Sequence, residues 1–258
     1  MTVQPGAVPD ACVASAAAAS GATSGATSGA ASDASAAATA AAAADVASSG
    51  AAAPDAVAAA TAVEAADLRS GWLTGIAHVV SPNADARPAG AVASLLVIHN
   101  ISLPPGRFGT GDVARLFTNT LDPQADPFYP AIAGVRVSAH FLIARSGDVT
   151  QFVPTEQRAW HAGVSSFEGR ERCNDFSIGI ELEGTDELPF TDAQYAALAG
   201  LCKRLLACHP IDALAGHSDI APGRKTDPGP CFDWQRLRDA LALPPAFFPF
   251  QPTPAGPV

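Results

Sequence analysis

The sequence predicts an α/β domain, and three observations carry that prediction. Residues 94–100, Ser-Leu-Leu-Val-Ile-His-Asn, form a short, almost continuous apolar run rich in branched side chains, which reads as a strand buried on both faces. Residues 191–206 join a helix-start signal to apolar side chains at helical spacing. Further strand-like runs lie at 139–144, 149–153 and 176–183, so strand and helix signals share one stretch of chain.

Each element has a local cause. His99 and Asn100 end the first strand, where a buried strand of an open α/β sheet emerges and sites commonly form. Residues 139–144 and 149–153 flank Arg145-Ser-Gly-Asp148, and its Gly-Asp pair suits a tight hairpin turn. The run at 176–183 alternates in places and contains Glu181. Thr191-Asp-Ala-Gln194 is a capping-box start, after which Tyr195, Leu198, Cys202, Leu205 and Leu206 line one helical face. A shorter helix is expected over 233–241, capped by Asp233. Between the two helices, residues 216–230 are too rich in Gly and Pro for regular structure and crowd polar residues into one loop. A second long loop, 101–137, carries many Pro and Gly with a short helix at 112–119; loops of that length tend to be lids or binding walls.

The ordered domain is expected at 68–243. Residues 1–67 are nearly all Ala, Ser, Gly and Thr without an aromatic side chain, too little apolar surface to offset chain entropy, and read as a disordered tail. Residues 244–258 are Pro-rich and read as an extended tail, with Phe247, Phe248 and Phe250 available to dock. The formal charge of −10 is concentrated in or beside the first tail, at Asp10, Asp33, Asp45, Asp55, Glu64 and Asp67. The domain is only mildly acidic, which excludes a basic nucleic-acid footprint and a polybasic membrane patch. No run approaches the ~18 apolar residues of a spanning helix. The start lacks the basic residues and unbroken apolar core of a secretory signal, and Cys12 follows no apolar run, so export is not expected. Five cysteines without a Cys-x-x-Cys pair fit reduced thiols in a cytoplasm.

His99, His217 and Asp227 have the makings of a catalytic zinc site: two imidazoles and one carboxylate fill three tetrahedral positions and leave the fourth for water. Spacing alone does not single them out, since six histidines allow many triples and a lone histidine is more often a packed or hydrogen-bonded residue. Taken alone, Glu181 reads first as an outward-facing strand carboxylate or a salt-bridge partner, and Lys225 as a solvated loop lysine. Arg136 and Arg172 read as surface charges or as planar clamps for a ligand's carboxylates. His161 stands beside Trp160 as a candidate for the site's edge, and Trp160 serves equally as a sugar platform or a core residue. His140 falls inside an apparent strand and reads as structural. His78 and His209 carry no motif. Cys231 is the substitute ligand should Asp227 fail, although Pro228 and Pro230 argue against their convergence.

Five strings go beyond spacing: Leu96-Val-Ile-His-Asn-Ile-Ser-Leu-Pro-Pro-Gly106, Arg136-Val-Ser-Ala-His140, Arg158-Ala-Trp-His-Ala-Gly-Val-Ser165, Gly169-Arg-Glu-Arg-Cys-Asn-Asp-Phe-Ser-Ile-Gly-Ile-Glu-Leu-Glu-Gly-Thr185 and Gly216-His-Ser-Asp-Ile-Ala-Pro-Gly-Arg-Lys-Thr-Asp-Pro-Gly229. They closely resemble, in order, the AmpD family, a branch of the zinc amidases that includes phage lysozyme-type amidases and peptidoglycan-recognition proteins. With Gly71-Trp72 and Phe232-Asp-Trp234 the resemblance spans the domain and leaves out the first tail. It implies a mixed central β-sheet flanked by helices, Zn²⁺ on His99, His217 and Asp227, and Glu181 with Lys225 as the catalytic pair. Asn100, Arg136 and Arg172 match positions that bind the muropeptide. The implied enzyme is a cytoplasmic, monomeric N-acetylmuramoyl-L-alanine amidase acting on 1,6-anhydro-muropeptides in cell-wall recycling, whose loss induces β-lactamase in some bacteria. A non-catalytic peptidoglycan-binding module is the competing expectation, and retention of all three ligand types with Glu181 and Lys225 argues against it. An exported amidase of broad specificity is the third, and the start of the chain does not support it. Activity is expected to fade as pH falls through the histidine range, near ~6.5 for an unperturbed ring.

Overall fold

The computed structural model describes residues 68–251. The tail expected over 1–67 lies outside the described residues, as do positions 252–258. Six strands build the central sheet: β1 (Ala77–His78), β2 (Leu95–Ile101), β3 (Phe141–Ile143), β4 (Val149–Gln151), β5 (Ser177–Glu183) and β6 (Ala213–Gly216). Their spatial order is β6-β2-β5-β3-β4-β1. Strands β6, β2, β5 and β3 run parallel, β4 returns antiparallel to β3 through the expected hairpin, and β1 pairs parallel with β4. The sheet is therefore mixed, and its two long central strands are buried along almost their whole length. That double burial is why both read as apolar runs with weak alternation.

Around the central sheet lie helices α1 (Asp112–Phe117), α2 (Asp192–Cys208), α3 (His217–Ile220) and α4 (Trp234–Leu241), with small two-stranded sheets and 3-10 turns between them. On one sheet face, Leu198, Leu201, Cys202 and Leu205 of α2 pack on Leu96, Ile98, Ile178, Ile180 and Leu182. Each fully buried leucine or isoleucine there contributes about 1.5–3 kcal/mol of hydrophobic stabilisation. The capping box at the start of α2 is present, with the Thr191 hydroxyl accepting from the Gln194 N–H and the Gln194 amide oxygen accepting from the Thr191 N–H, both at 3.1 Å. The Gln194 amide also donates to the carbonyls of Ile143 and Glu183, which pins the helix start to the sheet. Asp233 caps α4 by accepting from the Arg236 N–H at 2.9 Å.

The opposite sheet face is covered by turns and short elements, among them a hairpin of Ser166–Phe167 with Arg170–Glu171 and a 3-10 turn at Cys173–Asp175. Ala162, Phe167, Cys173 and Phe176 pack on Leu95, Val97, Ala213 and Ala215. Residues 101–137 are more structured than a simple lid: Leu103, Val113, Leu116, Phe117, Tyr129 and Ile132 bury one another. The Gly109 N–H donates to Glu183, and the Ser81 hydroxyl donates to the Phe117 carbonyl, so this lobe is tied at both flanks. Residues 244–251 also differ from the extended tail expected of them. They form a short 3-10 turn at Pro245–Phe247, and Phe248 is buried beneath the Arg238 guanidinium, 5.3 Å from its ring centre. Apolar burial of one aromatic ring outweighs the Pro-rich composition there.

Arg87 gave no sequence signal and anchors the site-bearing chain. Its guanidinium donates to the carbonyls of Thr155, Asn174, Asp175 and Ser177 at 2.8–3.2 Å. Burial pushes its pKa down to about 10. Arg87→Ala strands those acceptors, so a loss of about 3 kcal/mol is expected in denaturant unfolding at unchanged slope. A change below about 0.5 kcal/mol, the range of an ordinary surface substitution, would contradict this anchoring.

Candidate metal centre

The register of three parallel strands explains why distant residues meet. His99 of β2 is the register partner of Glu181 in β5, and Gly216 of β6 pairs with Ile98, which places His217 level with His99 at the carboxyl end of the sheet. Gly216 is needed here because a Cβ would lie 2.8 Å from Pro228 Cδ. The Asp219 carboxylate accepts the Gly216 N–H at 2.8 Å, and the Ser218 N–H donates to the Asp227 carbonyl at 2.8 Å. These bonds fold residues 216–230, which begin with the end of β6 and the short helix α3 where no regular structure was expected, back on themselves and bring Asp227 to the two histidines; the Asp227–Pro228 peptide is cis.

Three donor atoms converge. His99 Nδ1 lies 3.0 Å from His217 Nδ1 and 2.9 Å from Asp227 Oδ2, and His217 Nδ1 lies 3.1 Å from the same oxygen. All three residues are buried, and among the described residues this is the set of His, Cys, Asp and Glu whose atoms could hold one metal ion. A tetrahedron with bonds of ~2.0–2.1 Å has edges of about 3.3–3.4 Å, close to these separations. Two imidazole nitrogens and a carboxylate oxygen so placed fit a cation. Cys231 is not among them.

Electrostatics follow burial. Burial and then the adjacent His217 push the His99 pKa down to about 4. For Asp227 burial opposes the charge, but the adjoining His217 and His99 rings outweigh it and hold the carboxyl well below the usual carboxylate range. Glu181 goes the other way: burial first, and the Asp227 charge second, raise it well above the ordinary value, against a lowering pull from Lys225. Its Oε2 is buried without a hydrogen-bond partner. The outward-facing strand carboxylate that Glu181 resembles in isolation is thus an inward-facing one on the face shared with His99.

The remaining candidates fall in different places. Asn100 spends both amide hydrogens, on Asp186 Oδ1 at 2.7 Å and the Pro228 carbonyl at 3.1 Å, so its free polar atom is Oδ1. Arg136 is exposed, in contact with the carbonyl of its neighbour Val135. Arg172 adopts a left-handed conformation (φ 62°) and pairs with Asp175 at 3.4 Å. Trp160 is half-buried and its Nε1 donates to Asp85, which Arg158 grips with two nitrogens. His161 corrects the expectation of a residue at the site's edge: it is buried behind His99, with its Nδ1 2.9 Å from His99 Nε2. Its ring follows from Gly179, where a Cβ would lie 2.5 Å from the imidazole. A glycine inside a strand marks such a close approach, and that signal was available in the sequence. His140, which lies just before β3 rather than inside a strand, accepts the Gly179 N–H at Nδ1 and donates from Nε2 to the Gln157 carbonyl. Asn174 and Asp186 support the site and carry no sequence signal of their own.

A family model described as N-acetylmuramoyl-L-alanine amidase matches residues 89–230. The chain is 61% identical over 170 residues to the 1,6-anhydro-N-acetylmuramyl-L-alanine amidase AmpD of Escherichia coli (strain K12), covering 65% of this chain and 93% of that protein. It is 53% identical over 174 residues to the protein of the same description from Haemophilus influenzae, covering 66% and 95%. A crystal structure of a selenomethionine AmpD derivative aligns with a TM-score of 0.66 at 57% identity, covering 67% of this chain and 98% of that one.

Proposed function

This chain belongs to the N-acetylmuramoyl-L-alanine amidase family and is akin to its AmpD members, and on that premise we propose that it hydrolyses the lactyl amide bond between N-acetylmuramic acid and L-alanine in 1,6-anhydro-muropeptides. The observation that carries the reading is the convergence of His99, His217 and Asp227 beside the unpartnered, buried Glu181 carboxyl. These three side chains would hold zinc. When bound, that ion acts as a Lewis acid toward an amide carbonyl and lowers the pKa of water beside it.

The chain's own residues supply the rest. Hydrolysis adds water's oxygen to the carbonyl carbon, breaks the C–N bond and delivers a proton to the leaving nitrogen. Glu181 is suited to carry that proton, since burial and the Asp227 charge hold its carboxyl well above the ordinary value and so favour its protonated, donating form. Lys225, whose positive charge acts on both Glu181 and His99, is assigned to stabilising the oxyanion. Arg136 and Arg172 are assigned to the carboxylates of the stem peptide, the Asn100 Oδ1 to a donor on the ligand, and Trp160 to the sugar. His161 is withdrawn from the ligand contacts.

We place this activity in cell-wall recycling in the cytoplasm, where its loss would let muropeptides accumulate and induce β-lactamase in bacteria that couple the two. Four cysteines among the described residues carry free thiols, which suits a reducing compartment. Among those residues no helix is long and apolar enough to cross a membrane. The test is mass analysis of an anhydro-muropeptide incubated with the protein, with and without a chelator. Release of anhydro-N-acetylmuramic acid and a peptide beginning with alanine, abolished by chelation, is the expected result. Binding without cleavage would instead support a recognition module.

A further inference from the structure

We infer that residues 161–162 form one positioning layer that sets the proton placement of both histidines at the metal centre, through the His161 ring for His99 and the Ala162 carbonyl for His217. This rests on the reading of His99, His217 and Asp227 as metal ligands. It concerns atoms behind those ligands, turned away from the point where they converge.

Proton accounting carries the argument. A histidine that ligates through Nδ1 must keep its ring proton on Nε2, and in a buried ring that proton needs an acceptor. His217 Nε2 lies 3.1 Å from the Ala162 carbonyl oxygen, which can only accept. The proton of a neutral His217 is therefore on Nε2, and its Nδ1 lone pair faces His99 and Asp227. His99 Nε2 lies 2.9 Å from His161 Nδ1. For that nitrogen to accept, His161 must carry its own proton on Nε2, where the Ser177 hydroxyl lies 3.2 Å away. Ser177, His161 and His99 thus form a chain whose polarity agrees with metal on His99 Nδ1.

The layer is held rigidly. Asn174 Oδ1 accepts the N–H groups of both His161 and Ala162, at 3.1 and 2.8 Å. Arg224 donates to the Ala162 carbonyl at 2.8 Å and to the Val164 carbonyl at 2.6 Å, so the acceptor of His217 is itself fixed by a cation. On the sheet side His161 occupies the space that Gly179 leaves open. A ring with both nitrogens engaged and only 9% of its surface exposed has no atom to offer a substrate.

The experiment uses the full chain and zinc itself. Zinc affinity is measured by competition with a chromophoric chelator, together with ¹H–¹⁵N spectra of slowly exchanging imidazole N–H groups in the zinc-loaded protein. His161→Leu is expected to weaken zinc by about 10- to 100-fold and to remove the protected His99 Nε2–H signal while keeping that of His217. His161→Gln keeps an oxygen for His99 and a donor for Ser177, so affinity should return to within about fivefold of the parent. Ser177→Ala, a small change that tests the chain should His161→Leu not fold, is expected to cost several-fold in affinity. Parent-like zinc affinity in a folded His161→Leu or in Ser177→Ala would overturn the inference, as would a His161→Gln as weak as the leucine variant. A parent chain whose zinc is absent, or is unaffected by His217→Ala, would overturn the metal centre itself. Zinc lost in His217→Ala but untouched in His161→Leu overturns the positioning layer alone.

Discussion

Glu181→Gln is expected to reduce amide hydrolysis by roughly 10²- to 10⁴-fold while leaving zinc binding within a few-fold of the parent. Glutamine has the shape of the protonated carboxyl and no titratable proton. The Glu181 Oε2 is buried without a partner, so the amide replaces it at little structural cost. The same substitution has a second readout in the metal-free protein. The folded pKa of Glu181 is raised above its ordinary value of 4.5 by burial and by Asp227. The stability associated with the neutral carboxyl is therefore fully present below the unfolded pKa and is lost as pH rises through the folded one. Glutamine escapes that loss, so the Tm advantage of Glu181→Gln over the parent should grow from pH 4 to pH 8. A pH-independent difference would contradict a buried, neutral Glu181, and near-parental turnover would remove it from the chemistry.

His217→Ala should have the larger effect on metal: a zinc affinity lower by well over about 100-fold, since even groups behind a ligand cost 10- to 100-fold. Turnover should fall with it, below the level of Glu181→Gln. The substitution removes one of three donors 2.9–3.1 Å apart and leaves His99 and Asp227 to face each other alone. The pH dependence of zinc retention should also differ from that of an ordinary imidazole site. His99 is held down to about 4 by burial and by His217, so proton competition at this ligand sets in only as pH falls toward that value. The sequence-based expectation of ~6.5 applies to an unperturbed ring and is corrected for His99. Unchanged zinc content in His217→Ala, measured by metal analysis after desalting, would refute its role as a ligand.

Much of this arrangement was legible in the residues. The apolar run at 94–100, the Gly-Asp turn at 147–148 and the Thr191/Gln194 box each became the element that local chemistry favours, because sheet burial and capping act within a few residues. What spacing could not supply was convergence. His99 and His217 are 118 positions apart, and only the parallel register of β6 on β2 sets them side by side. Glu181 was ambiguous for a related reason: a strand covered on both faces has no outward side, and the cover over its second face is made of turns and elements of two or three residues, too short for periodicity to forecast. His161 was misplaced because it lies in a loop beside Trp160, whereas Gly179, the residue that makes room for the ring, lies far along the chain on β5. Arg87 escaped because its partners are backbone carbonyls, which leave no trace in side-chain patterns. The docked Phe248 shows the converse, one large apolar side chain overruling a Pro-rich context.

The most direct measurement is zinc K-edge X-ray absorption on protein loaded with one equivalent of zinc. Two imidazole nitrogens and one carboxylate oxygen from this chain predict a first shell of light atoms at ~2.0–2.1 Å with the outer scattering of two imidazole rings. A sulfur at ~2.3 Å, as Cys231 would give, or a spectrum without imidazole scattering, would contradict the metal centre.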